Sequence, residues 1–178
     1  MAVAASTRGD AIRDMLGLVA RLGLATVWFI SGIAKALDPR TTLVAVQAYQ
    51  LFPDSVAELL AAVLPYFEIA LGLLLTIGLA TRLSAVLSAV LLVAFIAGVI
   101  SAAARGLSID CGCFGGGGDV RSDETAYTAE ILRDLGFLLL AGYLVARPST
   151  PLSIDRWAQR RSGGPAQADA SAGSQQPA

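Results

Sequence analysis

The sequence predicts an all-α, polytopic membrane protein folded as a bundle of four transmembrane helices. Three observations carry that prediction. The run from Leu83 to Ala104 holds no charged residue, and at ~1.5 Å per residue it is long enough to cross a hydrocarbon core of ~30 Å. The 178-residue chain is 55% hydrophobic and 15% charged, whereas soluble domains carry about 25% charged residues. Three further stretches, flanking that run on both sides, have the length and composition of membrane spans.

A short segment, residues 1–14, precedes the first span at about 15–37. That span carries Arg21 near its start and Lys35 near its end. Its apolar run exceeds a signal-peptide core of ~7–15 residues, and no small-residue cleavage site with a hydrophilic mature part follows, so it reads as a retained helix. The second span, about 58–80, has Glu68 as its one charge from Leu59 onward, and it contains Pro65, which a membrane helix tolerates. The third occupies about 83–104. A loop, 105–126, leads to the fourth span at about 127–146, interrupted early by Glu130, Arg133 and Asp134 and clean from Leu135. Residues 147–178 form a tail whose end, SGGPAQADASAGSQQPA, is too small and polar to order itself. Gly72, Gly78, Ser84, Ser88 and Gly98 suit close packing between helices.

Four spans put both termini on one side of the membrane. That side holds Arg8, Arg13, Arg82, Arg147, Arg156, Arg160 and Arg161; the other holds Lys35, Arg40, Arg105, Arg121 and Arg133. The basic excess orients the termini to the cytoplasm, in a plasma (inner) membrane, and the 105–126 loop outside it. Thiols in that loop meet an oxidising compartment.

Composition also excludes. A net charge of −1 leaves no basic footprint for nucleic acid. The absence of histidine removes the commonest metal ligand and the commonest general base near neutral pH. Chemistry must then come from thiols, carboxylates, tyrosines or backbone.

The only thiols are Cys111 and Cys113, in the loop RGLSIDCGCFGGGGDVRSDE. Gly112 lets the backbone turn so that the two sulfurs can meet, and a bridge in so small a ring is strained and exchanges readily. The run Gly115 to Gly118 is expected to leave the pair uncluttered for an approaching sulfur. Asp110 would raise the Cys111 thiol pKa, while Arg105 and Arg121 would lower it. Other readings stay open: a structural disulfide, which so short a loop makes weakly stabilising; a metal site, which would need two more ligands; or two inert thiols. Thiol–disulfide exchange is the favoured one. Glu68 lies deep in its span, where a carboxylate must be neutral, paired or facing a wet cavity. Its candidate partners are Lys35 and Arg133, either of which can instead snorkel to the interface.

The segments GIAKALDP (Gly32 to Pro39), YQLFP (Tyr49 to Pro53), LPYFEIALGLLL (Leu64 to Leu75) and RGLSIDCGCFG (Arg105 to Gly115) resemble the methylamine-utilisation MauE proteins of the wider DoxX-like membrane group. The similarity covers residues about 15 to 146. The Asp-Cys-Gly-Cys-Phe-Gly segment is its specific element, and the long glycine run and polar tail depart from it. The resemblance implies a four-helix membrane protein that works with a thioredoxin-like partner in making disulfides in exported proteins. It implies a redox role for Cys111 and Cys113, and it places Lys35, Tyr49 and Glu68 at recurring family positions.

The sequence therefore reads as a membrane thiol–disulfide redox protein, an oxidoreductase or its membrane component, with an extracytoplasmic thioredoxin-fold partner and membrane lipid around it. No cofactor is evident; a quinone held in the bundle stays open, though no motif marks a site for it. Two rivals remain: a non-enzymatic scaffold for a redox complex, and a carrier of small solutes or lipids built on Glu68.

Overall fold

The computed structural model describes residues 8–121, 125–147 and 153–155. The expected disordered end of the tail lies outside the described residues, as do Arg156, Arg160 and Arg161. The architecture is α1 (Arg8–Leu37), α2 (Pro39–Ala48), α3 (Asp54–Ile77), α4 (Thr81–Ala104), a ribbon of β1 (Ile109–Asp110) and β2 (Gly118–Asp119), and α5 (Tyr127–Ala146). Three helical stretches, Ala11–Leu37, Asp54–Ile77 and Thr81–Ala104, are long and apolar enough to cross a membrane. The fourth long helix, α5, carries Glu130, Arg133 and Asp134 in its first half.

Two helix pairs build the bundle: α1 lies along α3 and α4 along α5, with α1 also touching α5. Small residues set the first pair. A Cβ on Gly32 of α1 would stand 2.7 Å from the Pro65 carbonyl, and one on Gly72 of α3 would stand 3.2 Å from the Ala25 carbonyl. The two backbones thus approach through reciprocal glycines, as membrane helices do where lipid supplies no hydrophobic drive for association. Between the pairs lies a core of Leu24, Ala25, Trp28, Leu71, Leu75, Ala85, Leu92 and Leu144. Trp28 Nε1 donates to Ser88 Oγ at 2.8 Å, and Ser88 in turn donates to the Ser84 carbonyl at 2.7 Å, so the indole N–H is satisfied. The outer surface is apolar. Leu139, Leu132, Val90 and Leu59 are each more than 60% exposed, a surface that suits lipid and would be a liability in water.

The helix α2 has no counterpart in the four expected spans. Its start is chemically marked. Asp38 caps it, its carboxylate accepting from Thr41 N at 3.1 Å and from Thr41 Oγ1 at 2.7 Å, and Pro39 takes the first helical position, where no amide is needed. Thr42 and Ala45 are its buried face. Thr42 Oγ1 lies 2.9 Å from the Asp38 carbonyl and 3.1 Å from that of Lys35, so α2 is folded back against the end of α1.

At the opposite end, Asp155 ties the chain together. Its carboxylate accepts from Ala80 N at 2.9 Å and Thr81 N at 2.8 Å, capping α4 from a distance in sequence, and its own amide donates to the Gly78 carbonyl. Arg21 and Ser153 pack against Gly78, which takes the left-handed conformation (φ 66°) that ends α3. Tyr143 donates to the Arg13 carbonyl at 3.2 Å. The beginning of α1, the α3–α4 turn and the end of α5 therefore share one end of the bundle, away from the cysteines.

Candidate functional site

The site is built on the loop after α4, folded down onto α1, α2, α3 and α5. Two antiparallel pairs, Ile109 with Asp119 and Asp110 with Gly118, pinch its ends together, so that Cys111, Gly112 and Cys113 lie within the ribbon's turn. Tyr127 anchors the ribbon: its hydroxyl donates to the Leu107 carbonyl at 2.5 Å and accepts from Ile109 N at 3.0 Å.

The glycine run does not open the loop as expected. Gly112 has φ 65° and Gly117 φ 107°, and a Cβ on either would collide with the Ala45 side chain of α2. These glycines let the loop press onto the helix, as close backbone approach requires. Cys113 is consequently only 7% exposed, whereas Cys111 is half-buried. Both are free thiols.

Side chains from the membrane helices hold the cysteines by their carbonyls. Ser31 donates to the Cys113 carbonyl at 2.6 Å, and Lys35 Nζ donates to the same oxygen at 3.0 Å. Lys35 also donates to Ser31 Oγ at 2.6 Å and to both Glu68 oxygens at 3.0 and 3.1 Å. Glu68 is fully buried and Lys35 nearly so, and a buried pair repays its desolvation only when its geometry and remaining hydrogen bonds are good. Those conditions hold here. Tyr49 donates to the Cys111 carbonyl at 3.3 Å, and its burial, followed by the nearby thiols of Cys113 and Cys111, pushes its phenol upward, so it remains a donor. Lys35 and Tyr49, which sequence could associate with the cysteines only by resemblance, thus reach the cysteine carbonyls, and Glu68 holds Lys35 in place.

One expectation needs correction. Arg105 lies on the exposed surface, where its guanidinium donates to the Tyr49 and Gln50 carbonyls and closes the end of α2. Glu68 pairs with Lys35, one of its two expected candidates, while the other, Arg133, is turned toward the loop. Asp110 accepts from Gly112 N at 3.0 Å and so shapes the turn between the cysteines.

Arg133 is the basic neighbour of the Cys111 sulfur. Its Nη2 lies 3.8 Å from Cys111 Sγ, its Nε 3.0 Å from Asp134 Oδ1, and its guanidinium stacks 4.7 Å from the centre of the Phe114 ring. Cys113 N also donates to Cys111 Sγ at 3.3 Å. The two thiols are driven apart. Cys111 is held below an ordinary thiol, first by the hydrogen bond from the Cys113 thiol, then by the Cys113 amide and Arg133, against burial and the Glu130 charge. Cys113 is pushed well above it, by that same hydrogen bond to Cys111, by burial, and by the charges of Cys111 and Asp134, with Lys35 opposing.

Sequence reasoning missed Ser31, Tyr127 and the role of the α5 charges. Glu130, Arg133 and Asp134 read as interruptions of a span, yet their helical spacing turns all three toward the loop. That spacing was the available signal. Asp110, Cys111 and Glu130 offer ligand atoms within 4.8 Å of one another, which is the nearest approach to a metal set among the described residues. The Arg133 guanidinium on the same sulfur already supplies a positive charge there, which disfavours a second cation.

Among known proteins, the model of the family described as methylamine utilisation protein MauE matches residues 13–147. Neither the curated proteins nor the solved structures contain a match. The matched stretch contains every residue of the site, from Ser31 to Asp134, and with the apolar helices it makes the chain an integral membrane protein.

Proposed function

We propose a function on the premise that this chain belongs to the MauE family, as its match over residues 13–147 shows. The chain is a four-span membrane thiol–disulfide redox protein whose Cys111 and Cys113 exchange disulfides with an extracytoplasmic thioredoxin-fold partner. The exchange serves disulfide formation in exported proteins, and the family's name links that service to methylamine utilisation. Both termini face the cytoplasm and the cysteine loop faces outward, on the basic bias of the terminal side.

The observation that carries the reading is the division between the two thiols. Cys111 is half-buried and its thiolate is stabilised by Cys113 and Arg133; Cys113 sits buried behind it, its carbonyl clamped by Ser31 and Lys35. A thiolate is the nucleophile in exchange, and the accessible one meets the partner. Cys111 therefore forms the mixed disulfide and Cys113 resolves it. The assignment holds for either direction of electron flow, since a partner thiolate attacking the oxidised pair would also strike the accessible sulfur.

Cysteine-to-serine variants test this. Cys113→Ser removes the resolving thiol and should accumulate a mixed disulfide with the partner, seen on a non-reducing gel as a larger band that collapses with dithiothreitol. Cys111→Ser should accumulate none. If neither variant traps a partner and the double variant still supports disulfide formation, the chain is a scaffold and its cysteines are structural.

A further inference from the structure

A buried carboxylate beside the cysteine pair has one oxygen without a hydrogen-bond partner among the described residues. Asp134 is only 3% exposed; its Oδ1 is held by Arg133, and its Oδ2 has no hydrogen-bond partner among the described residues. A buried acceptor left unpaired costs about 1–3 kcal/mol, so such a group invites a functional explanation. The same side chain lines a cavity of about 10 Å³ together with Ser31, Cys113, Phe114 and Phe137. Roughly 10–15 Å³ is the room one water molecule needs, and it needs polar partners, which Asp134, Cys113 and Ser31 provide.

We propose that Asp134 is the proton acceptor for Cys113, receiving its thiol proton across this cavity, directly or through one water, as the mixed disulfide is resolved. The inference rests on the redox reading above. Cys111 needs no such help, because Arg133 and the Cys113 amide already hold its thiolate. Cys113 does, because a buried thiol must lose its proton before it can attack.

The step balances as follows. The Cys111 sulfur is bonded to a partner sulfur, and the partner's disulfide is the oxidant. Cys113 gives its proton to the Asp134 carboxylate and its sulfur bonds to Cys111 Sγ. The bond from Cys111 to the partner breaks, and the electron pair leaves on the partner sulfur. The cysteine pair is oxidised by two electrons, the partner is reduced to its dithiol, and the proton on Asp134 passes on to the departing thiolate. Lys35 on α1, Tyr49 after α2, Asp134 on α5 and Cys111 line the cavities beside Cys113, Glu68 on α3 stands behind Lys35, and Arg133 and Glu130 on α5 and Asp110 in the loop lie against Cys111.

The test is made in the full chain with both cysteines present. Asp134→Asn keeps the shape and the Arg133 contact but removes the base. Mixed disulfide with the partner should then accumulate near neutral pH, its resolution slowed about 100-fold, in the range of a general base. Raising the pH, which ionises Cys113 without help, should restore the rate. The rate of Cys111 alkylation separates this from a merely structural effect: it should change far less than the rate of resolution. Should Asp134→Asn fail to fold, Asp134→Ser carries the same expectation. Unchanged resolution in Asp134→Asn, with Cys113→Ser still trapping the partner, overturns the inference and leaves the redox reading standing. If Cys113→Ser traps nothing, both fall. A protein that resolves normally only when chelator is absent would point to a cation at Asp110, Cys111 and Glu130 and would overturn the inference as well.

Discussion

The two ends of the bundle are both closed by polar groups, and they use them differently. At the end formed by the α3–α4 turn, the Asp155 carboxylate accepts from the Ala80 and Thr81 amides and beds against Gly78. Every such bond goes to a helix terminus that needs one. At the cysteine end, Ser31, Lys35 and Tyr49 bond to the carbonyls of Cys113 and Cys111, and Glu68 exists in the site to balance Lys35. The backbone of the cysteines is fixed by these bonds, while the Cys111 sulfur meets Arg133. A structural staple would need no such arrangement, because its sulfurs would hold the loop. On the proposed function, the difference separates an end that is only closed from one that carries chemistry.

The comparison can be broken most sharply at Glu68. Glu68→Gln leaves the Lys35 ammonium buried without its counter-charge, and breaking a buried pair from one side costs about 3–5 kcal/mol. Thermal unfolding in detergent should show that loss together with impaired disulfide exchange; full stability with full activity would reduce the pair to an ornament of the interface. Gly32→Ala should cost about 1–3 kcal/mol, because its methyl meets the Pro65 carbonyl and the Ile69 backbone, atoms that cannot step aside. Asp155→Ala removes a cap at the other end and should cost about 1 kcal/mol while leaving the cysteine chemistry alone. A loss of exchange in Asp155→Ala equal to that in Glu68→Gln would erase the distinction between the two ends.

How much of this was legible in the sequence follows from what lipid demands. Helices without charge, such as Leu83 to Ala104, announce themselves because a lone charge in hydrocarbon is costly and a span must satisfy its own backbone hydrogen bonds. The short α2 carries no such compulsion. Its sign was local, an aspartate followed by proline and two threonines at Asp38 to Thr42, a capping pattern that a search for long apolar runs passes over. The glycines from Gly115 to Gly118 were read as slack, when their composition fits equally a loop pressed against a helix. Only the position of Ala45 decides between the two. The thiol's basic neighbour was sought along the chain, at Arg105 and Arg121, because proximity in sequence is all that a single chain displays. Arg133 arrives at Cys111 through the packing of α5 on the loop. The Lys35–Glu68 pair was within reach, since few partners exist for a carboxylate at that depth.

The central claim is that the two thiols are unequal, Cys111 poised to attack and Cys113 held back. The most direct measurement is the rate at which each is alkylated in the reduced, folded protein as pH is varied, with the two sites resolved by mass spectrometry. Alkylation follows the thiolate. Cys111, held below an ordinary thiol of about 8.5, should gain reactivity at lower pH than an unfolded control, and Cys113, pushed above it, should gain reactivity only at higher pH. Cys111 should therefore be modified first throughout the neutral range. Equal rates at the two cysteines, or a faster reaction at Cys113, would contradict the account.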